Sequence, residues 1–166
     1  MAFYRTEHVP VKILRPLLVY GPGLDAQTDQ RVMAHFLKQA MPGQPIAMRD
    51  EGSALRAYCY ITDAMVMFWR IFFSDHNGEA FNIGNSSEEI SIRGLAELVH
   101  DLCGISASPR IIPDTMNTPA LSSAPLRVCP DMSKVARFFQ HTATISLREG
   151  LTRTLRWNKE RERKHS

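Results

Sequence analysis

The run Val11-Lys12-Ile13-Leu14-Arg15-Pro16-Leu17-Leu18-Val19-Tyr20 closes on Gly21-Pro22-Gly23, passes through a polar loop and enters a helical pattern near Gln30. Strand, glycine turn and helix in that order place this stretch where α/β sheets meet their ligands, beyond the carboxyl ends of the strands. The run shows little apolar/polar alternation, the pattern of a strand covered on both faces in a parallel sheet. Pro16 has no N–H for the ladder, so the strand there either meets an irregular partner or bulges at Arg15-Pro16. An ordinary tight turn also uses a Gly-x-Gly pair, so its meaning rests on the elements downstream of it.

Those elements alternate between helix and strand. Asp29 is placed to cap a helix over Gln30–Met41 whose Val32, Met33, Phe36, Leu37 and Ala40 share one face, with Pro42-Gly43 as its stop. Pro45–Arg49 and Arg56–Ile61 read as short strands around a turn at Asp50–Ser53, the second with Tyr58 and Tyr60 on one face. Thr62 or Asp63 caps a helix to about Phe73, whose Phe68, Trp69, Phe72 and Phe73 suit core or interface packing rather than a cofactor. A turn at Asp75–Gly78 leads to a strand at Glu79–Ile83. Ser91 caps a helix over Ile92–Cys103 that buries Leu95, Leu98, Val99 and Leu102 and ends at Gly104. Arg110–Pro113 is a brief strand, and Asp114–Pro130 is a proline-rich loop of the kind that covers ligands. Asp131 caps a short helix with Val135, Phe138 and Phe139 turned inward. Ser146-Leu147-Arg148-Glu149 is a capping box for a last helix through Leu151, Leu155 and Trp157. The alternation predicts an α/β fold.

With 166 residues, 44% of them hydrophobic, the chain can bury one modest core, and a single domain is expected. Its 20 basic and 17 acidic residues leave a net charge of +3, concentrated in the tail Lys159-Glu160-Arg161-Glu162-Arg163-Lys164. Signs alternate there, which describes a solvated helix end and not a nucleic-acid patch. Cys59, Cys103 and Cys129 are odd in number and lack any Cys-x-x-Cys pair, arguing against a disulfide framework or a zinc site and for a reducing, cytoplasmic setting. Met1–Pro10 has no apolar signal core, and the most apolar window, Ala64–Phe73, is broken by Arg70 and too short to span a bilayer. Neither a membrane nor a nucleic acid is an expected partner. The six histidines show no metal spacing, and His100 reads as boundary structure.

A longer pattern emerges when the pieces are taken in order. Arg15-Pro16-x-x-Val19-Tyr20-Gly21-Pro22, Arg31-Val32, Gly43-x-Pro45-Ile46, Gly52-x-x-x-Arg56-x-x-x-Tyr60-Ile61-x-Asp63, Phe81-Asn82-Ile83-Gly84-Asn85, Ile90-Ser91-Ile92, Leu95-Ala96-Glu97-Leu98 and Pro130-Asp131-x-Ser133-Lys134 together resemble the C-terminal half of an extended short-chain dehydrogenase/reductase. The likeness is greatest to the UDP-glucuronate decarboxylases (UDP-xylose synthases), with dTDP-glucose 4,6-dehydratases and UDP-sugar 4-epimerases as relatives. Leu147-x-Glu149-Gly150-Leu151-x-Arg153-Thr154-x-x-Trp157 resembles that family's last helix.

The resemblance implies the C-terminal part of a Rossmann-like fold, with residues 9–41 and 62–86 as a remnant of its sheet and helices. Residues 42–61 and 87–166 would be a substrate-binding subdomain. It implies NAD as cofactor and a UDP- or dTDP-sugar as ligand. Arg56 falls where relatives hold the nucleotide diphosphate, although an ion pair with Asp63 would also explain it. Arg127 resembles a second diphosphate arginine, Arg31 an arginine lining the decarboxylase site, and Glu7 a glutamate near the sugar carboxylate. Val19 and Tyr20 resemble the segment along the nicotinamide, with Leu18 in place of a common asparagine.

Two family elements are missing from the sequence: the Gly-x-x-Gly-x-x-Gly turn that holds the NAD pyrophosphate, and the Tyr-x-x-x-Lys that removes the proton from the sugar 4-hydroxyl. The chain alone is therefore expected to be inactive. It reads as the nucleotide-sugar half of such an enzyme or as a non-catalytic binding or dimerisation module. Strands deprived of sheet neighbours predict a homo-oligomer or association with a Rossmann half.

Overall fold

The structure is a computed structural model that describes residues 2–112 and 125–165. Short strands and helices alternate, as an α/β fold requires. β1 (Lys12–Pro16) runs parallel to β6 (Glu79–Ile83), β2 (Val19–Tyr20) to β5 (Cys59–Tyr60), and β3 (Ala47–Met48) to β8 (Arg110–Ile111). β4 (Leu55–Ala57) lies between β7 (Glu89–Ser91), antiparallel to it, and β9 (Arg127–Val128), parallel to it. The helices are α1 (Ala2–Glu7), α2 (Val32–Ala40), α3 (Ile61–Phe72), α4 (Ile92–Cys103), α5 (Ser133–Phe139) and α6 (Leu147–His165). Of the proline-rich loop expected from Asp114, only the end from Pro125 lies within the described residues, and it contains β9.

The run expected as one strand is two. Leu18 adopts φ +46°, and this turn hands the chain from one partner to another. Leu17 N–H still donates to Ile83 O at 2.9 Å, whereas Leu18 O already accepts from Cys59 N–H at 3.1 Å. Nor is the run covered on both faces, since β1 is half-buried over Lys12–Leu14 and exposed at Arg15 and Pro16. Pro16 ends β1, a position where a missing donor is tolerated. Arg56–Ile61 likewise divides into β4 and β5, with Ile61 given over to α3.

Capping follows the sequence at α4, where Ser91 Oγ accepts from Gly94 N–H at 2.9 Å and Gly104 takes φ +71°. At α6, Ser146 Oγ accepts from Glu149 N–H at 3.2 Å, while the Glu149 carboxylate turns to Arg153. Three expected caps are used differently. Arg31, not Asp29, occupies the N-cap of α2, and Asp29 binds the Arg31 backbone and guanidinium. Tyr60 precedes α3, leaving Thr62 and Asp63 inside it. Asp131 Oδ1 accepts from Ser133 N–H at 2.9 Å, forming a local turn one residue ahead of the α5 N-cap.

The larger core gathers α2, α4 and α6 around Leu37, Ile46, Leu95, Val99 and Leu151. His100 is buried at its edge: Nε2 accepts from Ile46 N–H at 2.8 Å, so Nδ1 carries the proton given to Ala107 O at 2.7 Å. A second core joins α3 and α5 to β6 through Met67, Ile71, Phe81 and Val135. Asp63 links the two regions, accepting from Thr144 N–H, Thr144 Oγ1 and Ile145 N–H at 3.0, 2.9 and 2.9 Å.

The aromatic run of α3 does not pack as a core. Ala64, Met67 and Ile71 face inward, but Met65, Val66, Trp69, Phe72 and Phe73 form an outward stripe, with Phe73 76% exposed. A helix apolar all round is built for burial on every side. Sedimentation of the purified chain should show concentration-dependent association, reduced in the Phe72→Glu/Phe73→Glu variant. A monomer over a wide concentration range would contradict this.

Candidate functional site

An open cleft of about 590 Å³ lies between α2 and the strands β3 and β4. His35 and Lys38 come from α2, Met48 and Asp50 from the end of β3, Arg56 from β4, and Leu126 from the residue ahead of β9. β3 turns away after Met48 because Asp50 Oδ1 accepts from Gly52 N–H at 2.7 Å. Gly52 itself, at φ +66°, lies so close to Arg93 that a Cβ would sit 2.6 Å from its backbone nitrogen.

Arg56 stands at the inner wall. Its Nη1 donates to Leu55 O at 2.8 Å, and the described residues offer it no ion pair. Asp63, the alternative partner expected from sequence, is occupied by Thr144 and Ile145. Behind Arg56 lies a smaller cavity of about 120 Å³ that it shares with Arg31, Tyr58, Leu18 and Val32.

Arg31 reaches this inner cavity already engaged. Nε and Nη2 clasp Asp29 at 3.0 and 2.6 Å, and Nη1 donates to Val19 O at 2.8 Å. The guanidinium holds the Asp29 carboxyl below the usual carboxylate range. Arg31 thereby ties the loop before α2 to β2, so its charge is largely neutralised.

Arg127 is brought to a different face. In paired strands, partners in register project to the same side. Leu55 is opposite Arg127 and Arg56 is opposite Val128, so the two arginines point away from one another. Ala57 is opposite Glu89, on the Arg127 side. Arg127 Nε accordingly donates to Glu89 Oε2 at 3.0 Å and Nη2 to Oε1, lowering the Glu89 pKa. Arg127 borders a separate cavity of about 510 Å³ with Asn85, Cys129 and His141.

Glu7 lies exposed at the end of α1 and lines neither cleft nor inner cavity. Val19 is half-buried. Tyr20 is enclosed, its hydroxyl donating to Leu147 O at 3.2 Å, and burial pushes its pKa well above the ordinary tyrosine value. Gly21 serves close packing, since a Cβ there would collide with Ile61 Cγ2. These residues do not fit a dinucleotide seat by themselves: the tyrosine is spent on packing, the Val19 carbonyl on Arg31, and the glycine turn on α3. Among the described residues no cluster of three or more His, Cys, Asp or Glu could hold a metal, the three cysteines are free, and no helix is long and apolar enough to cross a membrane.

Sequence reasoning missed three partners. Asp29 two residues before Arg31 is a legible local pair, but Glu89 opposite Arg127 and Tyr58 in the inner cavity depend on strand register and tertiary packing.

The paired parallel strands with covering helices form an α/β fold that superposes on about half the length of each of several epimerase structures. The chain belongs to the NAD dependent epimerase/dehydratase family, whose model matches residues 1–84. Over 149 residues it is 28% identical to UDP-glucuronic acid decarboxylase 5 of Arabidopsis thaliana, covering 90% of this chain and 41% of that protein. Over 160 residues it is 29% identical to UDP-N-acetyl-alpha-D-glucosaminuronate decarboxylase of Bacillus cytotoxicus, covering 96% and 49%. UDP-glucose 4-epimerase of Thermotoga maritima, solved with UDP-glucose, superposes with TM-score 0.83 at 22% identity over 97% of this chain and 50% of that one. UDP-glucuronic acid 4-epimerase of Bacillus cereus, solved with UDP-glucuronic acid and NAD, gives TM-score 0.79 at 25% identity, covering 96% and 48%. The chain thus spans about half the length of these relatives or less.

Proposed function

We propose that this chain is the nucleotide-sugar-binding, C-terminal half of an NAD-dependent decarboxylase, epimerase or dehydratase, most like a UDP-glucuronate decarboxylase. The observation that carries the proposal is Arg56, a permanent cation at the inner wall of the cleft with no carboxylate partner among the described residues. A diphosphate would supply the counter-charge that Arg56 lacks among the described residues, and the cleft volume suits a nucleotide.

In this reading residues 9–41 and 62–86 belong to the Rossmann part and residues 42–61 and 87–166 to the substrate part. β1, β6 and α3 sharing the second core supports the first assignment, whereas α2 packs with the substrate-side helices. In such an enzyme NAD would supply the hydride chemistry, and the part of this chain would be to bind and orient the sugar nucleotide. Arg31 shapes the inner cavity through Asp29. Arg127 and Glu7 reach the ligand only by moving from their present positions.

Calorimetric titration with UDP should show binding to the chain, weakened at least ~10-fold in Arg56→Ala, as loss of a charge-assisted contact predicts. With UDP-glucuronate and NAD the chain alone should form no NADH and release no carbon dioxide. Turnover would overturn the half-enzyme reading. The apolar stripe on α3 favours a second reading, a non-catalytic association module, which self-association without UDP binding would support.

A further inference from the structure

Clasps at both ends hold the segment between α5 and α6 against α3. Arg70 Nη1 donates to Phe139 O at 3.0 Å, and the Asp63 carboxylate accepts from Thr144 N–H and Ile145 N–H at 3.0 and 2.9 Å. His141 lies between these clasps. Its Nε2 is buried with no hydrogen-bond partner among the described residues.

A neutral imidazole tolerates that position at modest cost, because the buried nitrogen can stay a bare acceptor while the other carries the proton. The imidazolium cannot, since both of its nitrogens carry protons and one becomes a charged donor with nothing to donate to. From α3, the Arg70 guanidinium repels a second cation, while Asp63 attracts one but is already taken by its backbone and hydroxyl donors. His141 also helps to wall the cavity of about 510 Å³. Across it, Arg127 is paired with Glu89, Asp131 Oδ1 accepts from Ser133 N–H, and Cys129 is the other titratable group. Met67 of α3, Ala136 of α5 and Asn85 after β6 bring no charge. Burial, followed by Arg70, accordingly holds the His141 pKa below the ordinary histidine value, against the smaller opposing pull of Asp63.

A histidine whose pKa is lower in the folded chain contributes its stability in full above about pH 6.5 and loses it as pH falls through the folded value. A ring that gains a proton there has two ways to relax. It can reach water, which lifts the segment, or it can draw Asp63 away from Thr144 and Ile145. Both loosen the same clasp.

We propose that His141 is an acid-sensitive latch: the neutral ring lets the segment lie clasped to α3, and a proton on it releases Thr144 and Ile145 from Asp63 and opens the cavity that His141, Thr142 and Ala143 wall. The latch does not depend on the nucleotide-sugar reading, since none of these residues lines the Arg56 cleft.

Amide hydrogen exchange of the full chain, corrected for intrinsic rates, tests the latch at Thr144 and Ile145. Their protection should fall about fivefold between about pH 7.5 and about pH 5.5, while Ile71, buried on α3, keeps its own and thereby excludes global unfolding. His141→Phe and the smaller His141→Gln, both uncharged throughout, should show no such fall. Unchanged protection in the parent overturns the latch, and so does an equal fall in the parent and either variant. NMR titration of the His141 ring in the parent covers the case in which neither variant folds. Its midpoint must coincide with the loss of amide protection, and separate midpoints overturn the proposal.

Discussion

Asp63→Ala should cost about 3 kcal/mol of unfolding free energy, measured by chemical denaturation, because it strips a buried carboxylate from three donors at once. Asp63 is only 4% exposed, yet its partners lie 81 and 82 positions away in sequence. It therefore fastens the first turn of α3 to the segment that leads into α6. Its charge also favours the N-terminal end of the α3 dipole. Asp63→Asn keeps the shape and one acceptor and should recover part of the loss. If both variants unfold like the parent, the carboxylate is not a fastening between the two cores.

Gly150→Ala should destabilise by about 2 kcal/mol, although alanine is the better helix former. A Cβ at Gly150 would collide with the Tyr20 hydroxyl oxygen and fall 2.8 Å from Tyr60 Cδ2. Neither ring can step aside freely. Both are buried, and they pack edge to face with centroids 5.6 Å apart. α6 must then back away, drawing Leu151 and Leu155 out of the larger core. In a double-mutant cycle with Tyr20→Phe the penalty should shrink, because the shortest contact is to the oxygen that substitution removes. An additive cycle would show that the obstruction is the ring and not its hydroxyl.

The elements that sequence placed well are those fixed by local chemistry. α4 begins where Ser91 can accept from Gly94 and stops where Gly104 can take a left-handed turn, and both signals are complete within a few residues. β6 and the solvated end of α6 are equally local. Errors arose where distant partners decide the outcome. Nothing in Leu17-Leu18 announces a positive φ; the break exists because β6 and β5 each claim part of the run. Asp29, Asp63 and Asp131 all have the chemistry of caps, but Asp29 and Asp131 accept instead from the N–H two residues on, and Asp63 is taken by donors more than eighty residues away.

The site divides in the same way. Arg56 was legible through its motif, and the structure places it in the cleft. Arg31 was legible as a residue near the site; its capture by Asp29, a local pair that pattern reading passed over, changes it from a free charge to a strut. Tyr58 gave no signal beyond a strand aromatic, since its place in the inner cavity is a property of the finished fold. Arg127 depended on parity: adjacent residues of a strand face opposite ways, and two-residue strands leave that parity invisible to pattern reading.

That parity carries an evolutionary consequence. β9 is held to β4 at only two registered positions, with Val128 on the Arg56 side and Arg127 on the other. A single-residue insertion or deletion ahead of β9 that shifts its pairing by one place would present a cation to the cleft and withdraw it from Glu89. The electrostatic character of this cleft can thus be retuned by segment length alone, with no substitution among the residues that line it.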